Sequence, residues 1–249
     1  MISETNEFEL ANLTWEEAGE RLPEADYVAL PCGSIEQHSY HLPLSVDSIR
    51  ADHLTRKLAA EAPAHDLDIL MLPTLTYGQS EHHMSFPGTV TLMPDTYRDV
   101  VIQIGRSVQE HGAERFLLVN FHGGNRGPLR MAADRLQRDH DLTTHSVFWV
   151  RYAQDHMDER FDDNGGHADA HETSVIELVR PELVKADRKE PQIRKERAET
   201  QQYRYFDDIT EQGGLGDPTI SDPEFMEGVI EEATDDLLES LRADVGNES

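Results

Sequence analysis

The chain has 249 residues, 49 acidic and 22 basic, for a formal charge of −27. A field of that sign disfavours nucleic acid and anionic membrane as partners, and no apolar run approaches the ~20 residues of a membrane span. Apolar residues are 37% of the chain and lie in distinct segments, so a single domain over 1–249 is expected rather than disorder.

The first ten residues hold three glutamates and no basic side chain, unlike a secretory signal, which points to the cytoplasm. Residues 27–32, Tyr-Val-Ala-Leu-Pro-Cys, read as a buried strand ended by Gly33. Cys32, the single cysteine, excludes an internal disulfide and reads as a small buried hydrophobe rather than a nucleophile. A helical pattern follows over 48–62, and 68–73 is a second short apolar run. The polar passage 76–93 is punctuated by Gly78, Pro87 and Gly88. A helix is predicted over 94–111, with Pro94 in its first turn, Val100, Val101, Ile104 and Val108 as its apolar stripe, and Gly112 as its end. A strand over 115–121, a helix over 127–139 and a strand over 144–150 come next. A further helix begins near His171, and the last covers 224–242. The polar stretch 186–212 reads as an excursion. Strands alternating with helices imply an α/β fold with parallel β-α units, whose functional groups gather beyond the strands' carboxyl ends.

Two such ends carry chemistry. After the first strand come Gly33-Ser34-Ile35-Glu36-Gln37-His38, then His41-Leu42-Pro43 and Asp47. Glu36 and His38, two apart, project to one side of an extended segment, and Asp47 is close enough to turn back and bridge two ions. The third strand ends in His122-Gly123-Gly124-Asn125, where the glycines let a substrate or metal approach the backbone. Singly, Asp47 also suits a helix cap, His122 a loop, and Glu36 a solvated surface. Their joint placement after two strand ends selects metal binding. Carboxylates plus imidazole without thiolate suit Zn, Mn or Fe(II). Two such ions acidify a bridging water and polarise a carbonyl, the machinery for amide hydrolysis without a protein nucleophile.

His167 and Glu172 flank the entry to a later helix. Glu172 is a candidate last ligand of the second ion, against a plain first-turn acid, and His167 a candidate proton shuttle to the leaving amine. His171 is expected at the surface. In the passage 76–93, Ser80 and His83 are candidate substrate contacts, with Gly123 on the glycine loop. Arg126, beside that loop, is the one obvious cationic contact for a phosphate.

These segments, together with Phe86-Pro87-Gly88-Thr89, Glu172-Thr173-Ser174 and Gly214-Leu215-Gly216-Asp217-Pro218, resemble the creatininase family of amidohydrolases, in family order over nearly the whole chain. The resemblance implies a three-layer α/β/α sandwich with a mainly parallel central sheet, a centre of two divalent ions and a homo-oligomer, usually a hexamer. By position it implies that Glu36 and His122 hold one ion, His38 the other, that Asp47 bridges, and that His167 is the catalytic histidine. Family chemistries include creatinine ring opening, deformylation of a formylaminopyrimidine in archaeal flavin or deazaflavin synthesis, and trimming of peptide precursors. The sequence departs from the creatinine hydrolases at Gly124, where they carry a metal-binding glutamate. It also lacks their tryptophan ahead of the catalytic histidine, since 158–166 hold only Phe161 as an aromatic.

The expected activity is therefore metal-dependent hydrolysis of a cyclic or formyl amide in a small-molecule substrate. The formylaminopyrimidine deformylase is an alternative, and a catalytically silent metal-binding scaffold is a second, from another class. The acidic residues are spread along the chain and only four basic residues are lysine, which fits a high-salt, archaeal cytoplasm better than one acidic docking patch.

Overall fold

The structure, a computed structural model, describes residues 7–157, 160–161, 166–192, 194–195 and 205–247. The excursion expected over 186–212 lies partly outside them. Four strands form one parallel sheet: β1 (Tyr27–Cys32), β2 (Ile69–Met71), β3 (Arg115–Asn120) and β4 (Thr143–Phe148), in the order β2-β1-β3-β4. Seven helices are described: α1 (Trp15–Arg21), α2 (Val46–Glu61), α3 (Pro94–Glu110), α4 (Arg126–His140), α5 (Val150–Met157), α6 (Ala170–Val179) and α7 (Pro223–Asn247).

Every residue of β1 and β2 is buried, as a sheet covered on both faces requires. Alternate strand residues feed two separate cores. Tyr27, Ala29, Ile69, Met71, Leu117 and Val119 pack with apolar residues of α2, α5, α6 and α7. Val28, Leu30, Leu70, Phe116 and Leu118 pack with Tyr97, Val101 and Val108 of α3 and Leu129, Ala132 and Leu136 of α4. The result is the expected three-layer α/β/α sandwich.

Pro94 opens α3, and Gly112 beyond its end takes φ +99°, the conformation expected of that glycine. Two helices were not expected. α1 is a seven-residue helix held by a capping box between Thr14 and Glu17, and it contains no buried residue, so it has no apolar stripe to read. α5 begins at Val150, where a strand was expected to end, because the β-branched and aromatic run through Val147 and Trp149 conceals the change of period. Cys32 is fully buried and burial pushes its thiol up to about 12, so it stays a protonated core residue. No described helix is long and apolar enough to cross a membrane.

Candidate metal centre

From β1 the chain continues to β2 on one side and then crosses to β3 on the other, so the strand order reverses between β1 and β3. Open α/β sheets hold their ligands in the crevice at such a point. Cys32 pairs with Asn120, which sets the carboxyl ends of the two strands level. The loop leaving β1 is pinned to the 76–93 passage by a bridge between Ile35 and Val90, and it carries Glu36 and His38. The residues after β3 carry His122. Asp47 lies inside the first turn of α2 rather than ahead of it, and α2 is N-capped at Ser45. Asp47 is therefore not the cap.

Glu36, His38, Asp47, His122 and Glu172 are all buried, and their donor atoms converge. His122 Nδ1 lies 3.2 Å from Glu36 Oε2 and 3.3 Å from Asp47 Oδ2, while His38 Nε2 lies 3.6 Å from both Asp47 Oδ1 and Glu172 Oε2. Glu36, Asp47 and His122 form one group with donors within 4.8 Å of one another, and His38, Asp47 and Glu172 form a second. Asp47 belongs to both. Glu36, His38 and His167 make a third such group.

The hydrogen bonds around these side chains decide which imidazole nitrogen is free. His38 Nδ1 lies 3.1 Å from the Glu36 carbonyl oxygen, and His122 Nε2 lies 2.9 Å from that of Gln79. A carbonyl only accepts, so those nitrogens carry hydrogen, and each neutral ring keeps its lone pair on the atom that faces the carboxylates. His38 Nε2 and Asp47 Oδ2, both buried, make no hydrogen bond. Observed donor separations of 3.2 to 3.6 Å match the ~3.4 Å edge of a tetrahedron with ~2.1 Å metal–ligand bonds. The residues present fit divalent ions.

The electrostatics agree. Burial alone would push His38 down, but Asp47, Glu172 and Glu36 together lift it to about 9. Burial likewise opposes the charge on Glu172, yet Arg50, followed by His38, holds it down to about 2. Asp47 and Glu36 are kept below the usual carboxylate range against burial, chiefly by His38 for the first and His122 for the second. Carboxylates that draw protons onto His38 and His122 form a place where cations can displace those protons.

His167 is held from two sides. Its backbone pairs with Leu215 of the Gly214–Pro218 segment, and its Nε2 donates 2.7 Å to the Gln37 carbonyl. Nδ1 then faces Glu36 Oε1 at 3.8 Å, and burial, aided by His38, lowers the ring's pKa so that it stays neutral. Glu172 sits in the first turn of α6, where Asp169 caps its backbone N–H. Its Oε2 accepts from Ala168 N at 2.8 Å while its other oxygen pairs with Arg50. His171, expected at the surface, is buried, with Nδ1 2.7 Å from Asp169 Oδ1, and it lines the cavity.

The three candidate substrate contacts separate. Gly123 and His83 line the cavity above the centre. His83 Nδ1 accepts from Gln37 Nε2 at 2.8 Å, which leaves Nε2–H directed at Glu36 Oε1, 3.4 Å away. Ser80 is fully buried and does not line the cavity. It contacts Ser34 Oγ and lies 3.3 Å from His122 Nε2, packed against that candidate ligand and away from solvent. Phe161 belongs to the core. Phe121, Phe148 and Phe206 line the cavity, and Phe206 lies against the histidines, 4.3 Å from His83 and 5.0 Å from His167 between ring centroids.

Gln37, Arg50 and Phe206 escaped the sequence reading. Gln37 sits between two candidate ligands, which was its one signal. Its amide donates to the Gly213 carbonyl at 2.7 Å, and Gly213 approaches so closely, at φ +86°, that a Cβ there would strike the amide. Gly124 is equally confined. A Cβ on it would collide with the Gln79 carbonyl oxygen and His122 Nε2, so a glutamate has no room at this place.

Residues 11–241 match the family model Creatininase, described as creatinine amidohydrolase. The chain is 37% identical over 117 residues to the mycofactocin precursor peptide peptidase of Mycobacterium tuberculosis, covering 45% of this chain and 46% of that protein. It is 34% identical over 122 residues to the creatinine amidohydrolase of Pseudomonas putida, covering 47% and 45%. These alignments span about half the length of the relatives. A solved creatininase mutant titled as Zn–Zn type superposes with a TM-score of 0.83 at 22% identity, over 97% of this chain and 99% of that one, and shares the fold. With the family model matched along nearly its whole length, the chain belongs to the creatininase family.

Proposed function

We propose that the chain is a two-metal amidohydrolase that cleaves the C–N bond of an amide substrate larger than creatinine. The observation that carries this is the convergence of Glu36, His38, Asp47, His122 and Glu172 in two donor groups sharing Asp47. Glu36, Asp47 and His122 would hold one ion and His38, Asp47 and Glu172 the other, with Zn, Mn or Fe(II) suited to the donors. Two such ions acidify a water and polarise the amide carbonyl.

The protein's own groups do the rest. Arg50 fixes Glu172, Gln79 and Ser80 fix His122, and Gln37 orders His83 and His167. His167, neutral and with its lone pair on Nδ1, accepts a proton from the attacking water and delivers it to the leaving nitrogen as the C–N bond breaks. The cavity of about 890 Å³ is near the top of the ~300–1,000 Å³ range of small-molecule sites, far more space than one five-membered ring fills. With no room for the glutamate at Gly124, this disfavours creatinine. Peptide cleavage draws support from the mycobacterial relative, and deformylation of a formylaminopyrimidine from Arg126 on the cavity wall. The intact donor set argues against a silent scaffold.

A single domain in a high-salt archaeal cytoplasm, assembled as a homo-oligomer with six copies by family habit, completes the reading. It is tested by bound metal and hydrolysis of creatinine, a formylamide and a short peptide, in wild type and in Glu36→Gln and His122→Ala. The proposal expects both variants to lose metal and all hydrolysis; full metal content with unchanged activity in both would sink it.

A further inference from the structure

Outside the candidate metal centre, the described charged side chains of the cavity wall are all cationic, opposite to the balance of the rest of the chain. Glu36, Asp47 and Glu172 are its only lining carboxylates among the described residues, and all three belong to the metal centre. The remaining wall carries Arg126, Arg151 and Arg194, although acids outnumber basic residues 49 to 22 in the sequence. Arg21, Arg56, Arg98, Arg135 and Arg180 each pair with a carboxylate, and Arg106, Arg130, Arg188 and Arg242 stand exposed with no described carboxylate partner, so it is convergence on one cavity that sets Arg126, Arg151 and Arg194 apart. None of the three cavity arginines makes an ion pair with a described residue.

Their placement is specific. Arg126 is the first residue of α4, and its guanidinium lies over the Phe148 ring at 5.2 Å, which aligns it at the carboxyl end of β4. Arg151 lies in the first turn of α5, directly after that strand, and Gln154 one turn later also lines the cavity. Arg194 approaches from the segment after α6. The metal centre does not need these cations. Its three carboxylates already face His38, His122 and Arg50, and two divalent ions would more than neutralise them. Three guanidinium groups that converge on one cavity and pair with no described carboxylate suit an anion from outside.

We propose that Arg126, Arg151 and Arg194 form an anion-recognition subsite, and that the substrate carries a carboxylate or phosphate displaced from the scissile amide. The inference rests on the hydrolase reading for the identity of the scissile group, but not for the anion. A carboxylate would belong to an acidic or C-terminal residue of a peptide, and a phosphate to a phosphorylated small amide.

Three matched probes distinguish these: N-formylglycylglycine, its neutral C-terminal amide, and N-formylphosphoethanolamine, each titrated calorimetrically into the metal-loaded full chain. The anionic probes should bind roughly tenfold or more tighter than the neutral one, as expected for one or two charge-assisted hydrogen bonds. The tighter of the two names the source. The Arg126→Gln/Arg151→Gln/Arg194→Gln variant should lose that advantage while retaining its metal content. Equal binding of neutral and anionic probes, or an advantage that survives in the variant, would overturn the proposal, the latter placing the anion on the ions. An arginine-dependent preference in a protein that binds no metal would remove the hydrolase reading and leave this one standing.

Discussion

Replacing Arg50 with methionine tests how the second donor group is held. Arg50 is fully buried on α2, paired through Nη1 with Glu172, 3.7 Å from Asp47 Oδ1 and 3.4 Å from His171 Nε2 through Nη2. Methionine fills much of the same volume but removes the guanidinium from Glu172 and Asp47, leaving His38 beside both and His122 beside Asp47. Breaking a buried pair from one side costs about 3–5 kcal/mol. For a chain of this length each kcal/mol moves the melting temperature by about 2–4 °C, so the metal-free variant should melt roughly 6–20 °C lower. Salt does little to change this, because the pair is shielded from solvent ions. A divalent ion held by Glu172 as proposed would replace that cation, so the deficit should shrink when Zn or Mn is bound. Arg50→Met/Glu172→Gln removes the stranded charge and should recover part of the metal-free loss. Calorimetric melts of the three variants, with and without metal, read all of this. A metal-free deficit below about 1 kcal/mol, or no recovery in the double variant, would refute the reasoning.

Two further outcomes follow from the geometry. Gly124→Ala forces a methyl against the Gln79 carbonyl and His122 Nε2. It should weaken metal retention through His122 and cost about 1–3 kcal/mol in stability, read by metal analysis and thermal melts. His156 on α5 lies 2.8 Å from both Asp236 and Glu232 of α7, and the hydrogen bond to Asp236 leads in raising its pKa. Its stabilisation is complete below the unfolded histidine value of about 6.5 and is lost as pH rises through the raised folded value. His156→Gln should therefore lower the melting temperature at about pH 5 and match wild type at about pH 10.

Much of the frame was legible because burial on both faces makes β1 and β3 continuous apolar runs. The strand ends then located Glu36, His38 and His122 without any knowledge of contacts. Helix periodicity placed α3, which has a single apolar stripe, but could not reveal α1, which buries nothing. Arg50 was invisible for a different reason. Its partner Glu172 lies on another helix, and an arginine three residues after Asp47 looks like an ordinary solvated side chain. Ser80 shows another limit, since nothing in its polar loop revealed that it lies buried beside His122 rather than on the cavity wall. Phe206 reaches the cavity from a segment outside the α/β periodicity and Arg151 from the start of the helix that the preceding strand concealed, and only the folded chain brings them to the site.

Glu36, His38, Asp47, His122 and Glu172 are proposed to surround two ions that share Asp47. The most direct measurement is an anomalous difference map, at the metal's absorption edge, from crystals of the protein loaded with Zn or Mn. Two peaks are expected within this cluster, one beside Glu36 and His122 and one beside His38 and Glu172. No peak among these side chains in metal-loaded crystals would contradict this arrangement.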